Sequence, residues 1–223
     1  MPPIEYEFNS SLAEVNELLS LAEDASKTGQ AIVSALNKAA LILLAAKFES
    51  FLENLVETFV FNINQTEIPR NTLPIHIRHN HFFEKLSPLI KGNGLAIEKT
   101  EDFCREIADF FLSPAAEISI NSKFNYGKHG SKEVTKLMTR IGVQDIFGGF
   151  MPVDRTIEDE INIAGDIDSM TFIRNNIIHG DADPALSTEQ IRGYVYKLDL
   201  WASCLVDTVN YELNSILTVI DRT

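Results

Sequence analysis

The segment that most constrains the fold runs from Gln30 to Asn62, where neither glycine nor proline interrupts a helical pattern. Apolar residues return every three or four positions along one face of this segment: Leu36, Ala40, Leu44, Phe48, Phe51, Leu55 and Phe59. The spacing predicts one amphipathic helix, which at ~1.5 Å per residue is roughly 50 Å long. A helix of this length buries its apolar face only against other long elements, so the segment favours a helical bundle.

The other periodic segments are also typical of helices, and strand signals are almost absent. A second long pattern begins at Ser187, where Gln190 completes a capping box, and continues to about Ile220. Shorter helices are predicted for residues 11–27, 97–112, 131–141 and 166–178. In residues 71–91, Pro74 and Pro88 predict a short or broken helix.

The chain has 223 residues, which suits one domain. Long helices with short connections favour an all-α fold, an antiparallel helical bundle. Residues 63–165 are interpreted as an inserted set of shorter helices within a single domain spanning residues 1–223.

Composition limits the function classes. The formal net charge is −13, which argues against a protein that coats nucleic acid non-specifically. Cys104 and Cys204 cannot form a disulfide framework, which favours a cytoplasmic location, and their apolar surroundings predict buried thiols. The longest apolar run, Ala39 to Ala46, is too short for a membrane span, and the first residues do not resemble a signal peptide.

The most informative segment is RNNIIHGD, residues 174–181, in the helix that Gly180 ends. Asn175 and His179 are four residues apart and share a helix face. Arg174 and His179 are five apart, which separates them by about 140° around the axis and ~7.5 Å along it. They share a site within one subunit only if Arg174 swings over or the helix unwinds near Gly180. A second copy across a twofold axis would remove this difficulty.

RNNIIHGD resembles the R-N-x-x-x-H signature of the HEPN superfamily, particularly its ribonucleases in bacterial toxin and antiviral defence systems. The segment KFESFLENL, Lys47 to Leu55, resembles the acidic, aromatic second helix of one HEPN branch. The resemblance implies a helical bundle, usually a homodimer with the motifs paired at the subunit interface, and cleavage of RNA without a metal or cofactor. It implies that Arg174 and His179 are the catalytic pair and that Asn175 supports them.

These residue types suit the implied chemistry. RNA carries its own nucleophile, the 2′-OH, so cleavage needs a base for that proton and an acid for the leaving 5′-oxygen. His179 can serve as either, and the planar guanidinium of Arg174 can stabilise charge on the phosphoryl oxygens. The alternative is an exposed helix-capping histidine and an ordinary surface salt bridge at Arg174.

Acidic residues near the motif have two interpretations. Glu49, Glu53 and Glu57 are four residues apart, which is typical of the solvated side of a helix. Alternatively, Glu49 or Glu53 lies near the histidine-bearing helix and orients Arg174. Asp181, two residues after His179, is a further supporting candidate.

A set of basic residues recurs every four positions: Lys128, Lys132, Lys136 and Arg140. If one helix covers them, they form a basic stripe, to which Lys123 and His129 add charge. The stripe is either a solvated face or a surface that guides RNA phosphates.

The histidines at positions 76, 79 and 81 have the spacing H-x-x-H-x-H, but a tetrahedral zinc site usually needs a fourth ligand, often cysteine. No metal or cofactor is therefore predicted.

The sequence thus predicts a cytoplasmic, metal-independent endoribonuclease that cleaves RNA by 2′-OH attack, in a toxin or antiviral defence role. Its expected partners are RNA, a second copy of the chain, and an antitoxin or regulatory protein, with no membrane. The rival hypothesis is a non-catalytic HEPN-like adaptor that binds a protein. Nine acidic residues against two arginines in residues 151–190 favour that rival.

Overall fold

The computed structural model describes residues 4–27, 29–91, 97–113, 116–124, 129–148, 162–180 and 185–218. These residues form seven α-helices and no strand: α1 (Ile4–Asp24), α2 (Gln30–Asn64), α3 (Ile75–Lys91), α4 (Ile97–Leu112), α5 (Ser131–Thr139), α6 (Ile163–His179) and α7 (Thr188–Thr218). The predicted all-α fold is confirmed. Along the sequence, three shorter helices, α3 to α5, come between the long α2 and the α6–α7 pair.

Helix boundaries follow the local signals in most places. α2 is one helix of 35 residues, as its uninterrupted pattern predicts. The Ser187 hydroxyl accepts a hydrogen bond from the Gln190 N–H at 3.1 Å, so Ser187 caps α7 as predicted.

The prediction of a broken helix in residues 71–91 is wrong, because α3 is continuous for 17 residues. Pro74 precedes α3, and its carbonyl accepts from the N–H groups of Ile77 and Arg78 at 3.1 and 3.2 Å. A proline at a helix start loses no hydrogen bond, since the first N–H groups have no partner within the helix. Pro88 lies in the last turn, where one missing donor does not end the helix.

The chain divides into two compact units: Met1–Glu53 with Phe124–Thr135 and Asp145–Asp207, and Asn54–Lys123 with Lys136–Gln144 and Thr208–Thr223. The helices α2, α5 and α7 contribute residues to both. Each unit is built around its own side-chain contacts.

The first unit contains α1, α6 and the larger parts of α2 and α7. α1 is antiparallel to α2, since Phe8 stacks near Phe51 and Glu14 pairs with Lys47 further along. α6 is likewise antiparallel to α7, since Asp166 pairs with Lys197 at 3.0 Å and Ser169 contacts Tyr194 at 2.9 Å. Helices that are neighbours in sequence thus form the antiparallel pairs.

The two long helices α2 and α7 run in the same direction within this unit. Asn37 bonds Thr188 near the start of α7, and Phe48 lies 5.8 Å from Trp201 further along both helices. The long segment between them supplies the connection that this arrangement requires. Trp201 is 1% exposed and donates its indole N–H to the Ile146 carbonyl at 3.0 Å, which anchors the core.

In the second unit, residues 116–122 pack without regular secondary structure. The Asn64 side chain bonds both backbone groups of Ile118, at 2.9 and 2.8 Å. Arg70, which is 1% exposed, donates its Nε–H to the Ala116 carbonyl at 2.6 Å. Side chains therefore supply the hydrogen bonds that a strand partner would otherwise give.

The prediction that both cysteines are buried is wrong, because Cys104 and Cys204 are both exposed. Each interrupts an apolar pattern at a position on the outer side of its helix. Apolar neighbours in sequence do not bury a residue when the helix turns it outward.

One described helix, α2, is long and apolar enough to cross a membrane, with a mean hydropathy of 1.7 over its best window. The longest apolar run in the sequence did not reveal this, because isolated polar residues interrupt it. Core helices of soluble proteins meet the same criterion, and the side of α2 that carries Leu44, Phe48 and Leu52 is buried in the protein. This is therefore weak evidence for a membrane span.

Candidate active site on helix α6

Helix α6 carries the RNNIIHGD motif and is regular throughout it. Its start is capped by Asn162, whose side chain accepts from the Gly165 N–H at 2.9 Å. Ile163, Ile167 and Met170 are buried and lie on the face of α6 that also carries Arg174. It ends at Gly180, which adopts φ +71° and donates to the Asn176 carbonyl, a left-handed cap that suits glycine.

Because α6 stays helical through residue 179, it does not unwind to bring Arg174 toward His179. The two residues keep the separation of an ideal helix, about 140° around the axis and ~7.5 Å along it. Among the described residues, no hydrogen bond or ion pair joins them. One chain by itself therefore does not gather the predicted catalytic pair.

The Arg174 side chain turns toward α2 and is half-buried. Its Nη1 donates to the Asn175 side-chain oxygen at 3.1 Å, and its Nη2 lies 3.8 Å from Oε1 of Glu49. Asn175 and Glu49 are therefore neighbours of the Arg174 guanidinium, and their role in orienting it stays a prediction. The side chain keeps 22% of its surface exposed, which leaves it accessible to a ligand.

Opposing electrostatic effects act on the pKa of the Glu49 carboxyl. Burial raises the pKa of the Glu49 carboxyl, and Glu53 one turn along α2 acts in the same direction. The positive charges of His129 and Arg174 oppose that rise. The carboxyl is therefore protonated more easily than an exposed glutamate, and acid pH weakens its hold on Arg174.

His129 is a third member of this cluster, which the sequence assigned only to the basic stripe. Its Nδ1 lies 3.3 Å from Oε1 of Glu49, and its side chain is 15% exposed. The ring packs against Phe124 with centroids 5.5 Å apart. No spacing rule links His129 to Arg174, because they come from separate segments that only the tertiary fold brings together.

Glu53, the other acidic residue considered for the site, contacts the backbone near His129. One of its carboxylate oxygens accepts from the Phe124 N–H at 3.1 Å, so it anchors the segment that leads to His129. Asp168 on α6 anchors the other side of that segment, since it accepts from the N–H and the hydroxyl of Ser131 at 2.7 and 2.9 Å. The supporting role of Glu53 stays a prediction.

His179 is the last residue of α6 and is exposed. Phe172, seven residues earlier, lies on the same helix face and is 67% exposed. Asp181, the other acidic residue predicted to support the site, lies outside the described residues. This face of α6 therefore presents an imidazole and an aromatic ring to solvent.

The predicted basic stripe is only partly helical. α5 carries Lys132 and Lys136, both exposed, and ends before Arg140. The Arg140 Nη1 donates to the carbonyls of Asn121 and Lys123 at 2.6 and 3.1 Å, so this guanidinium is hydrogen-bonded to the backbone. Lys128 lies outside the described residues. The RNA-binding role of this set stays a prediction.

The three histidines of α3 do not converge. His81 is 2% exposed, stacks on Phe110 and accepts from the Ser119 N–H at 3.0 Å, whereas His79 is exposed. In the part of the chain that the structure describes, no cluster of histidine, cysteine or acidic residues is arranged to hold a metal ion.

Comparison with known families decides the assignment. Residues 6–211 match the RiboL-PSP-HEPN family. The chain belongs to the HEPN superfamily. The predicted membership of the HEPN superfamily is thereby confirmed, and the match extends over most of the 223 residues of this HEPN chain. No curated protein and no solved structure matched the chain.

Proposed function

We propose that this HEPN protein is a metal-independent endoribonuclease that acts as a homodimer, with Arg174 and His179 as its catalytic residues. The observation that carries the proposal is the oriented guanidinium of Arg174. Glu49 and Asn175 hold it half-buried on α6, while His179 at the end of the same helix stays open to solvent.

The mechanism follows from the residue chemistry. His179 exchanges a proton with the 2′-OH nucleophile or with the leaving 5′-oxygen. Arg174 donates paired hydrogen bonds to the non-bridging phosphoryl oxygens, where negative charge grows in the transition state. Because the guanidinium is bound to the phosphate before the reaction, its donors need little reorganisation when the charge develops.

A second copy of the chain is part of the proposal, because α6 keeps Arg174 and His179 on different sides of one helix. Arg174 of one copy and His179 of another can face a single phosphate across a twofold axis. The exposed Phe172, on the face that carries His179, supplies apolar surface for such a contact. A role in a toxin or defence system, with an antitoxin or regulatory protein as partner, and a cytoplasmic location belong to the same proposal.

The expected result with purified protein is cleavage of single-stranded RNA in excess EDTA. The products should end in 2′,3′-cyclic phosphate and 5′-hydroxyl groups, since the 2′-OH is the nucleophile. Mass spectrometry of the fragments identifies these ends, and an oligonucleotide with 2′-deoxy sugars throughout is the matched control that should stay intact. Cleavage that requires a divalent metal, or that yields 5′-phosphates, would contradict the mechanism. Absence of cleavage would favour the adaptor hypothesis.

A further inference from the structure

One carboxylate oxygen of Glu49 lies near two basic side chains. Oε1 lies 3.3 Å from Nδ1 of His129 and 3.8 Å from Nη2 of Arg174. The hydrogen-bond capacity of one oxygen is limited, and neither distance is that of a short charge-assisted hydrogen bond. His129 and Arg174 therefore share Glu49 rather than each having a carboxylate of its own.

His129 is fixed in place by contacts with α6 and with its own segment. Its backbone carbonyl accepts from the Thr171 hydroxyl at 3.3 Å, and Ser131 two residues later is bonded to Asp168. Its Nδ1 is buried and makes no hydrogen bond of good geometry among the described residues. A polar atom that is buried in this way usually has a partner, and Glu49 is the acceptor that faces it.

We propose that His129 is a positioning residue, and that it positions Arg174 through Glu49. This inference rests on the proposed ribonuclease function, because it assigns a role in presenting Arg174 to the RNA phosphate. A protonated His129 favours the ionised form of the half-buried Glu49 and holds Oε1 at the distance from which it orients the guanidinium. Loss of His129 leaves Arg174 with a carboxyl that is protonated more often and less well placed.

The charges around Glu49 give the direction of the effect. His129 faces it from the segment before α5, Arg174 faces it from α6, and Glu53 lies one turn further along α2. The positive charges of His129 and Arg174 lower the pKa of Glu49, whereas burial and Glu53 raise it. Replacing His129 with a neutral residue removes one of the lowering effects, so the pKa of Glu49 rises. At a given acid pH, fewer molecules then carry an ionised Glu49.

The test compares kcat and KM for RNA cleavage across pH in wild type, His129→Gln and His79→Gln. His79 is an exposed histidine on α3 that stacks on Phe83, which makes its variant a matched control. His129→Gln should lower kcat roughly 10-fold at acid pH, with a smaller change in KM, since misplacing a catalytic group costs rate. Its activity should begin to fall at a higher pH than that of wild type, whereas His79→Gln should follow wild type.

Two further variants separate positioning from folding. His129→Arg restores a positive charge and should bring the acid side of the profile back toward wild type. Glu49→Gln removes the titrating carboxyl, so adding His129→Gln to it should change little. Additive effects of His129→Gln and Glu49→Gln would contradict the inference, because residues that act through one another are not independent.

A readout without RNA distinguishes failure of this inference from failure of the proposed function. The ¹³C NMR titration of the glutamate carboxyls, with Glu49 assigned by Glu49→Gln, should give a higher pKa for Glu49 in His129→Gln than in wild type. If wild type cleaves RNA and the Glu49 titration is unchanged by His129→Gln, only the role of His129 is wrong. If wild type cleaves no RNA under any condition, the ribonuclease proposal falls and the role of His129 falls with it.

Discussion

His179→Ala should lower the rate of RNA cleavage by ~10²–10⁴, the usual contribution of a general acid or base. His179 is exposed at the end of α6 and contributes nothing to the buried core, so the variant should keep the wild-type stability. The measurement is the single-turnover rate in excess EDTA, together with a thermal melt of each protein. His79→Ala, which removes another exposed histidine, controls for loss of an imidazole elsewhere.

An unchanged cleavage rate in His179→Ala would remove His179 from the catalytic pair. A lowered rate that accompanies a lowered melting temperature would point instead to a structural role. Only a loss of rate with an intact fold agrees with the proposed chemistry.

Arg174→Ala should reduce the rate by ~10²–10³, the effect typical of removing one group that stabilises transition-state charge. The variant also leaves Glu49 without one of its two cationic neighbours, so the pKa of Glu49 should rise further, since Arg174 lowers it. Arg174→Lys keeps the charge but loses the planar, two-pronged contact with phosphate, and should recover only part of the rate. The readouts are the single-turnover rate and the Glu49 carboxyl titration.

Two results would contradict this role for Arg174. One is a lysine variant as active as wild type, which would mean that charge alone suffices. The other is an alanine variant that binds and cleaves RNA normally. Arg105→Ala provides a matched control, since Arg105 is exposed and pairs with Asp102, and both residues belong to α4.

The helices were predictable from sequence because their signals are local. The uninterrupted pattern of α2, the Ser187 cap and the Gly180 stop each act within a turn or two of the residue that shows them. The error in α3 has a local cause as well. Pro74 marks a helix start as readily as a helix break, and here α3 begins directly after it, with the N–H groups of Ile77 and Arg78 bonded to its carbonyl.

The site was predictable only in part. Arg174, Asn175 and His179 lie within one short motif, and the spacing on a helix already indicated that one subunit would not bring Arg174 and His179 together. The regular acidic spacing left open whether Glu49 or Glu53 lies near Arg174. The structure places Glu49 3.8 Å from Arg174, whereas Glu53 accepts from the Phe124 N–H. His129 had no signal, because its contacts with Glu49 on α2 and Thr171 on α6 arise only in the tertiary fold.

The basic stripe shows the limit of a four-residue repeat. Such spacing makes one face only while the helix lasts, and α5 ends at Thr139. Beyond that point Arg140 turns to backbone carbonyls, which a repeat in the sequence does not indicate.

The most direct measurement of the central claim, that Arg174 and His179 of two copies act on one phosphate, mixes the two inactive variants. Arg174→Ala and His179→Ala proteins with different tags are unfolded together, refolded, and assayed for RNA cleavage in EDTA. Dimers that contain one of each should have one intact site, so the mixture should recover about a quarter of wild-type activity if subunits pair at random. A mixture in which co-purification shows mixed dimers, yet which stays as inactive as either variant alone, would contradict the claim.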